Sequence, residues 1–125
     1  IVDDEPINRM VAHTQLAEIG LAVDTANGGA RAVEMARHNR YAAVFMDMQM
    51  PEVDGLEATR RIRRIPQHSD TAIIAMTANV FAEDRTRCFQ SGMNDFLMKP
   101  FTPESLFAAL LKWLARRDTS SVRVA

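Results

Sequence analysis

The stretch that most constrains this chain runs from Ala43 to Gly55: Ala-Val-Phe-Met-Asp-Met-Gln-Met-Pro-Glu-Val-Asp-Gly. Apolar or small residues lead without interruption into one carboxylate, Asp47, and turn residues follow at once. A continuous apolar run closed by Pro51 and Asp54-Gly55 is the pattern of a strand buried on both faces, as in a parallel sheet. Asp47 then stands at the strand's C-terminal end, the edge where ligands collect in open α/β sheets.

The rest of the chain repeats that alternation. Ile1-Val2 reads as the end of a first strand, shorter than strands usually are. Asp3-Asp4-Glu5 follow, and Pro6 suits the first turn of a helix that runs from Ile7 to Ile19 and stops at Gly20. Its inner side is drawn by Val11, Ala12, Leu16 and Ile19. Leu21–Ala26 is a second strand, and Gly29, Ala32, Val33 and Ala36 line a second helix ending near His38. After the Asp47 strand, a third helix turns Ala58, Ile62 and Ile65 inward and Arg60, Arg61, Arg63 and Arg64 largely outward, stopping before Pro66. Thr71–Ala75 is a fourth strand, delivering Met76-Thr77-Ala78-Asn79 to the same edge. A fourth helix covers about Ala82–Ser91, capped by Gly92, and Asp95–Met98 is a fifth strand ending in Lys99-Pro100. Thr102-Pro103-Glu104 starts a fifth helix whose stripe is Leu106, Phe107, Leu110, Trp113 and Leu114. The pattern fades from Arg116 to Ala125, which reads as a linker or frayed end. Five strands alternating with five helices imply a doubly wound parallel sheet with helices on both faces.

On that scaffold Asp3, Asp4, Asp47, Thr77 and Lys99 all fall at strand C-termini and converge. Two like charges about 4 Å apart repel by about 4 kcal/mol at an effective dielectric of 20, so three carboxylates in one cleft call for a cation or a raised pKa. Mg²⁺ suits such a site, since it accepts one or two carboxylates together with water and phosphate oxygens. A carboxylate, Mg²⁺, a hydroxyl and a lysine fit phosphoryl transfer, with Asp47 as nucleophile and Lys99 and the metal neutralising the moving group.

Composition narrows the field. With 125 residues, 47% hydrophobic and 25% charged, the chain fits one soluble domain, and a net charge of -1 speaks against a nucleic-acid footprint. One cysteine forms no internal disulfide, which favours a reducing compartment. No apolar run reaches the roughly 20 residues of a membrane helix, and no signal peptide is visible. The chain begins at Ile1 rather than Met and is expected to be an excerpt of something longer or a trimmed chain.

Val2-Asp3-Asp4-Glu5-Pro6, Phe45-Met46-Asp47-Met48-Gln49-Met50-Pro51 with Asp54-Gly55, Ile74-Ala75-Met76-Thr77-Ala78 and Phe96-Leu97-Met98-Lys99-Pro100-Phe101 together resemble the receiver domain of two-component response regulators. The resemblance implies a flavodoxin-like sheet of order 2-1-3-4-5 and phosphorylation of Asp47 by the phosphohistidine of a histidine kinase or histidine phosphotransfer domain. It further implies that Asp4, Asp47 and the backbone carbonyl of Gln49 ligate Mg²⁺, with Asp3 acting through water. Thr77 and Phe96 match a switch pair that remodels the surface of the fourth helix, fifth strand and fifth helix, and Lys99-Pro100 matches a peptide bond that is typically cis. The wording around Met48-Gln49-Met50-Pro51, Thr77-Ala78-Asn79 and Ser91–Asp95 is similar to receivers of hybrid sensor histidine kinases. Residues 1–117 are thus the expected receiver domain and 118–125 a tail. The expected setting is cytoplasmic, either free or as the cytoplasmic part of a membrane-bound hybrid kinase. Leu111 and the residues around Phe96 mark the expected partner surface, and a homodimer through the switch surface is left open.

Plainer roles suit the other conspicuous residues. The arginines of the third helix read as a solvated face, Cys88 as a small buried hydrophobe, and His13, His38 and His68 as surface or packing groups. Two other functions compete. One is a receiver-like interaction module without phosphorylation, against which the retained acids and Lys99 speak. The other is an aspartyl-phosphate phosphohydrolase; those resembling haloacid dehalogenases carry a second Asp where this chain has Gln49.

Overall fold

The computed structural model describes residues 1–77, 82–99, 102–114 and 123–125. Its strands are β1 (Ala22–Val23), β2 (Ala43–Asp47), β3 (Ala72–Thr77), β4 (Asp95–Met98) and β5 (Arg123–Val124). The helices are α1 (Pro6–Glu18), α2 (Gly29–His38), α3 (Gly55–Arg63), α4 (Ala82–Ser91) and α5 (Pro103–Leu114), with a 3₁₀ turn at Pro66–His68. One parallel sheet has the order β1-β5-β2-β3-β4. Val2 bridges both Ala26 and Met46, so it lies on the line that β5 opens.

The continuous apolar run behaves as its composition dictates: every residue of β2 is buried. Val44 and Met46 face a core layer shared with Ala32, Val33 and Ala36 of α2 and Ala58 and Ile62 of α3. Ala43 and Phe45 face the opposite layer with Ala12 and Leu16 of α1 and Leu106 and Leu110 of α5. Helices therefore cover both faces, and the loops at the strand C-termini are left to form a site.

Local signals fix the helix ends. Pro6 is the first residue of α1, and the Glu5 carboxylate accepts the Ile7 N–H. Asp54 caps α3 by accepting the Glu57 N–H at 2.9 Å. Thr102 and Ser105 cap each other reciprocally, Ser105 N–H to Thr102 Oγ1 and Thr102 N–H to Ser105 Oγ.

Three expectations are corrected. Val11 and Ile19 do not join the inner side of α1, where only Ala12 and Leu16 are buried; Ile7, Met10, Val11 and Ile19 are exposed. Apolar residues occur all round this helix, so periodicity alone could not choose its face. Residues 123–125 are no frayed end, since they enter the middle of the sheet; residues 115–122, and the 117/118 boundary with them, lie outside the described residues. Arg63 does not belong to a solvated face. Its guanidinium donates to the carbonyls of Gly92 (2.8 Å), His68 (2.8 Å) and Thr71 (2.6 Å) and to Asn94 Oδ1 (2.5 Å), tying α3 to the turns before β3 and β4. Burial holds its pKa below the ordinary arginine value against the opposing charge of Asp70. Arg60 and Arg61, by contrast, make exposed pairs with Glu57.

His38 is a surface group beside Glu34, whereas His68 and Cys88 have packing roles. His68 is fully buried, with Nε2 2.7 Å from Ala36 O and Nδ1 2.9 Å from Thr71 Oγ1, and Cys88 Sγ lies 3.5 Å from Met48 Sδ. The tight hub around Arg63 predicts a sharp contrast in urea unfolding. Arg63→Ala is expected to lower stability by about 2–4 kcal/mol, because several carbonyls lose a charged donor together. Arg60→Ala is expected to leave the midpoint near that of the unsubstituted chain.

Candidate functional site

The acids are brought together by strand ends and by the alternation of the chain. Asp3 follows Val2 out of the sheet and turns inward, 1% exposed, whereas Asp4 is exposed. Asp47 ends β2 and is 5% exposed. Carboxylate oxygens of Asp3, Asp4 and Asp47 all lie within 4.8 Å of one another.

Lys99, just beyond β4, inserts its ammonium between two of them. Its Nζ is 3.2 Å from Asp3 Oδ2 and 3.2 Å from Asp47 Oδ1. The lysine is held in register by its own N–H, which donates to Thr77 O at 2.7 Å. Asp3 accepts the Glu5 N–H on its other oxygen at 2.9 Å. Asp47 Oδ1 also accepts the Gln49 N–H at 3.2 Å, which folds the start of the β2–α3 loop back over the carboxylate.

Burial and charge together set the electrostatics. Burial, and then the charge of Asp3, push the Asp47 carboxyl up to about 6, against the Gln49 N–H and the Lys99 ammonium. For Lys99, burial acts to lower the pKa, but the charges of Asp47 and Asp3 overcome it and hold the ammonium above the ordinary lysine value. Three carboxylates facing one ammonium retain an excess of negative charge, and their oxygens form a hard donor set. Such a set fits a divalent cation of the Mg²⁺ kind.

Thr77 reaches the same edge as the last residue of β3, half-buried, and its carbonyl is tied to Lys99. Phe96 lies on β4 and packs partly against the core, with the Arg85 guanidinium of α4 4.6 Å above its ring. Gln49 contributes its backbone beside Asp47, and its side chain points to solvent. Pro100, and with it the expected cis bond after Lys99, lies outside the described residues, as do Ala78 and Asn79.

Two supports of the site escaped sequence reasoning. Arg9 on α1 donates to Asp3 O at 2.8 Å, bracing the acid pair from behind. Nothing in the spacing of Asp3 and Arg9 signals that bond. Gly55 was legible as a turn residue, but its reason is closer packing: a Cβ there would collide with the Asp47 carbonyl oxygen. The loop after Asp47 also holds Glu52 at φ 65°, in the left-handed region.

Comparisons agree with this geometry. The family model described as response regulator receiver domain matches residues 1–111. Hybrid signal transduction histidine kinase L of Dictyostelium discoideum is 41% identical over 106 residues, 80% of this chain and 6% of that protein. Sensor protein GacS of Pseudomonas syringae pv. syringae is 37% identical over 127 residues, 98% of this chain and 14% of that protein. The chain thus spans a small part of these relatives. Among solved structures, the receiver domain of sensor histidine kinase PA1611 from Pseudomonas aeruginosa PAO1, with a magnesium ion coordinated in its active site cleft, superposes with a TM-score of 0.85. It is 40% identical and covers 91% of this chain and 93% of that one. Chemotaxis response regulator CheY4 of Vibrio cholerae gives a TM-score of 0.87 at 30% identity, covering 90% and 94%. The flavodoxin-like α/β fold is that of these neighbours.

The raised Asp47 pKa has a signed consequence for the metal-free chain. A carboxyl whose folded pKa lies above its unfolded value subtracts stability once pH rises above the unfolded value, and the full penalty is reached above about 6. Asp47→Asn removes that penalty. Thermal unfolding at pH 7.5 without divalent cations is expected to show the variant more stable by about 1–3 kcal/mol, the gain shrinking as pH falls toward 4.

Proposed function

We propose that this chain, which belongs to the response regulator receiver domain family, accepts a phosphoryl group on Asp47 from the phosphohistidine of a histidine kinase or a histidine phosphotransfer domain. The observation that carries the reading is the buried Asp47 carboxylate held 3.2 Å from the Lys99 ammonium inside a cluster of three acids. A structural ion pair would need one acid; the surplus acids suit the divalent cation that a dianionic phosphoryl group calls for.

Each residue has a part. An Asp47 carboxylate oxygen forms the new O–P bond as the N–P bond of the phosphohistidine breaks, and the imidazole nitrogen keeps that bond's electron pair and takes a proton. Water later cleaves the acyl phosphate, returning Asp47 and inorganic phosphate. Lys99 balances charge on Asp47 before transfer and on the phosphoryl oxygens after it. Asp4, Asp47 and the Gln49 carbonyl would hold Mg²⁺, and Asp3, with one oxygen on Lys99 and the other on the Glu5 N–H, would reach it through water. When bound, Mg²⁺ supplies charge neutralisation for the phosphoryl oxygens. Thr77 offers a hydroxyl at the same edge, and Phe96 is the aromatic member of the switch pair. The Arg85 guanidinium over the Phe96 ring couples α4 to β4, so a change at Phe96 is transmitted to that surface.

The donor must approach over the rim beside Asp3 and Asp4. Ile7 and Met10 on the first turns of α1 are 65% and 62% exposed and make an apolar step there. Leu111 on α5, 67% exposed, extends the candidate partner surface. No helix among the described residues is long and apolar enough to cross a membrane. A cytoplasmic setting and a dimer through α4, β4 and α5 remain part of the proposal. Gln49, standing where a haloacid dehalogenase-like enzyme carries its second Asp, weighs against the phosphohydrolase reading.

Intact mass after incubation with acetyl phosphate tests the reading. One added phosphoryl group is expected with Mg²⁺, none without it, and none in Asp47→Asn; Lys99→Ala is expected to cut the rate of labelling at least about 10-fold, as removal of a charge stabiliser does. No adduct after rapid quenching, or an equal adduct in Asp47→Asn, would overturn it.

A further inference from the structure

Positive charge gathers at the end of the molecule away from Asp47. α2 and α3 pack on the same face of the sheet, and their C-terminal ends lie at the edge where β2 and β3 begin. There Arg37 of α2 stands across an open groove from Arg61 and Arg64 at the end of α3, with Ile65 as the groove's apolar part. The groove measures about 450 Å³, within the size range of small-ligand sites. A concave surface lined by charges of one sign concentrates their field. The chain as a whole carries a net charge of -1, so this excess is local.

The fold does not need these three guanidiniums. Arginines near a helix C-terminus can serve its last carbonyls, yet here other groups do so. Gln67 Nε2 donates to Ala36 O at 2.8 Å, and His68 Nε2 lies 2.7 Å from the same oxygen and 3.0 Å from Asn39 O. At the end of α3, the Arg61 and Ile62 carbonyls accept the N–H groups of Arg64 and Ile65. The groove arginines hold only exposed partners from their own helices: Arg37 pairs with Glu34 at 3.2 Å and Arg61 with Glu57 at 3.2 Å. Pairs of that kind contribute little to stability. Arg64 is exposed and has no carboxylate partner among the described residues.

We propose that the groove of Arg37, Arg61 and Arg64 is an anion-binding site whose ligand is a short linear oligophosphate, free or as the phosphate chain of a nucleotide. A planar guanidinium meets two oxygens of one phosphate group at once. A single carboxylate entering the groove would only exchange with Glu34 or Glu57, charge for charge. A chain of phosphates brings more charge than it displaces and reaches from one helix to the other. Glu34 and Glu57 give up Arg37 and Arg61 at small cost because both pairs are exposed, and Arg64 supplies the charge that no neighbour offsets. The site is separate from the Asp47 cleft and does not rest on phosphoryl acceptance there.

Isothermal titration calorimetry of the full chain with tripolyphosphate, at low ionic strength and after removal of divalent cations on a chelating resin, tests the site. One molecule is expected to bind per chain, with affinity falling as salt is added. Arg64→Gln, and Arg37→Gln combined with Arg61→Gln, are each expected to weaken binding at least about 5-fold. Arg31→Gln removes an exposed arginine of α2 outside the groove and is expected to change the affinity less than about 2-fold. All these side chains are exposed, so the thermal midpoints are expected to stay near that of the unsubstituted chain, which separates lost binding from lost fold. Absence of saturable binding, undiminished binding in Arg64→Gln, or an equal loss in Arg31→Gln overturns the site. ATP that binds as tightly as tripolyphosphate supports the phosphate chain as the whole ligand, and tighter binding of ATP supports a nucleotide as its source. A polyglutamate peptide that binds as tightly as tripolyphosphate overturns the ligand class.

Discussion

The Lys99 ammonium, 3.2 Å from both Asp3 and Asp47, is the interaction on which the rest of the site depends. Its carboxylate partners come from the first residues and from β2, and its backbone is fastened to Thr77 at the end of β3. One lysine, just past β4, therefore joins three other strand ends across the mouth of the sheet. Its charge does not neutralise the cleft, since Asp4 and one of the buried acids remain in excess. Left as it is, the excess works against folding: burial, and then the charge of Asp3, raise the Asp47 pKa. Matched by a divalent cation, the same excess becomes binding energy. A fold that keeps such a strained charge balance at its sheet edge is giving up stability for function.

Much of this was legible in the sequence because parallel sheets write themselves in long apolar runs. The β2 run and the small-residue stripe of α2 appear in the structure as expected, and once they are placed, the strand-end rule gathers the acids and Lys99 without further help. What stayed hidden has physical causes. Arg63 sits in a row of four arginines, and no pattern distinguishes one that turns toward buried carbonyls from three that do not. The inner side of α1 was ambiguous because its apolar residues surround the helix. Asp3 and Asp4 differ in burial only through the alternation of the strand they leave, which two residues are too few to display.

The central strand is the deepest example. Arg123–Ala125 have no periodicity of their own, and their partner in register is at the opposite end of the chain. Sequence reading treats neighbours along the chain as neighbours in the strand; here the sheet supplies the continuity through hydrogen bonds to β1 and β2.

The most direct test of the central claim is to find which oxygen carries the phosphoryl group. After labelling with acetyl phosphate and Mg²⁺, borohydride reduction converts an aspartyl phosphate to homoserine, which peptide sequencing by mass spectrometry locates. The account predicts homoserine at residue 47 and unchanged aspartates at 3 and 4. Homoserine at Asp3 or Asp4, or none at any of the three in a chain that carries the phosphoryl mass, would contradict it.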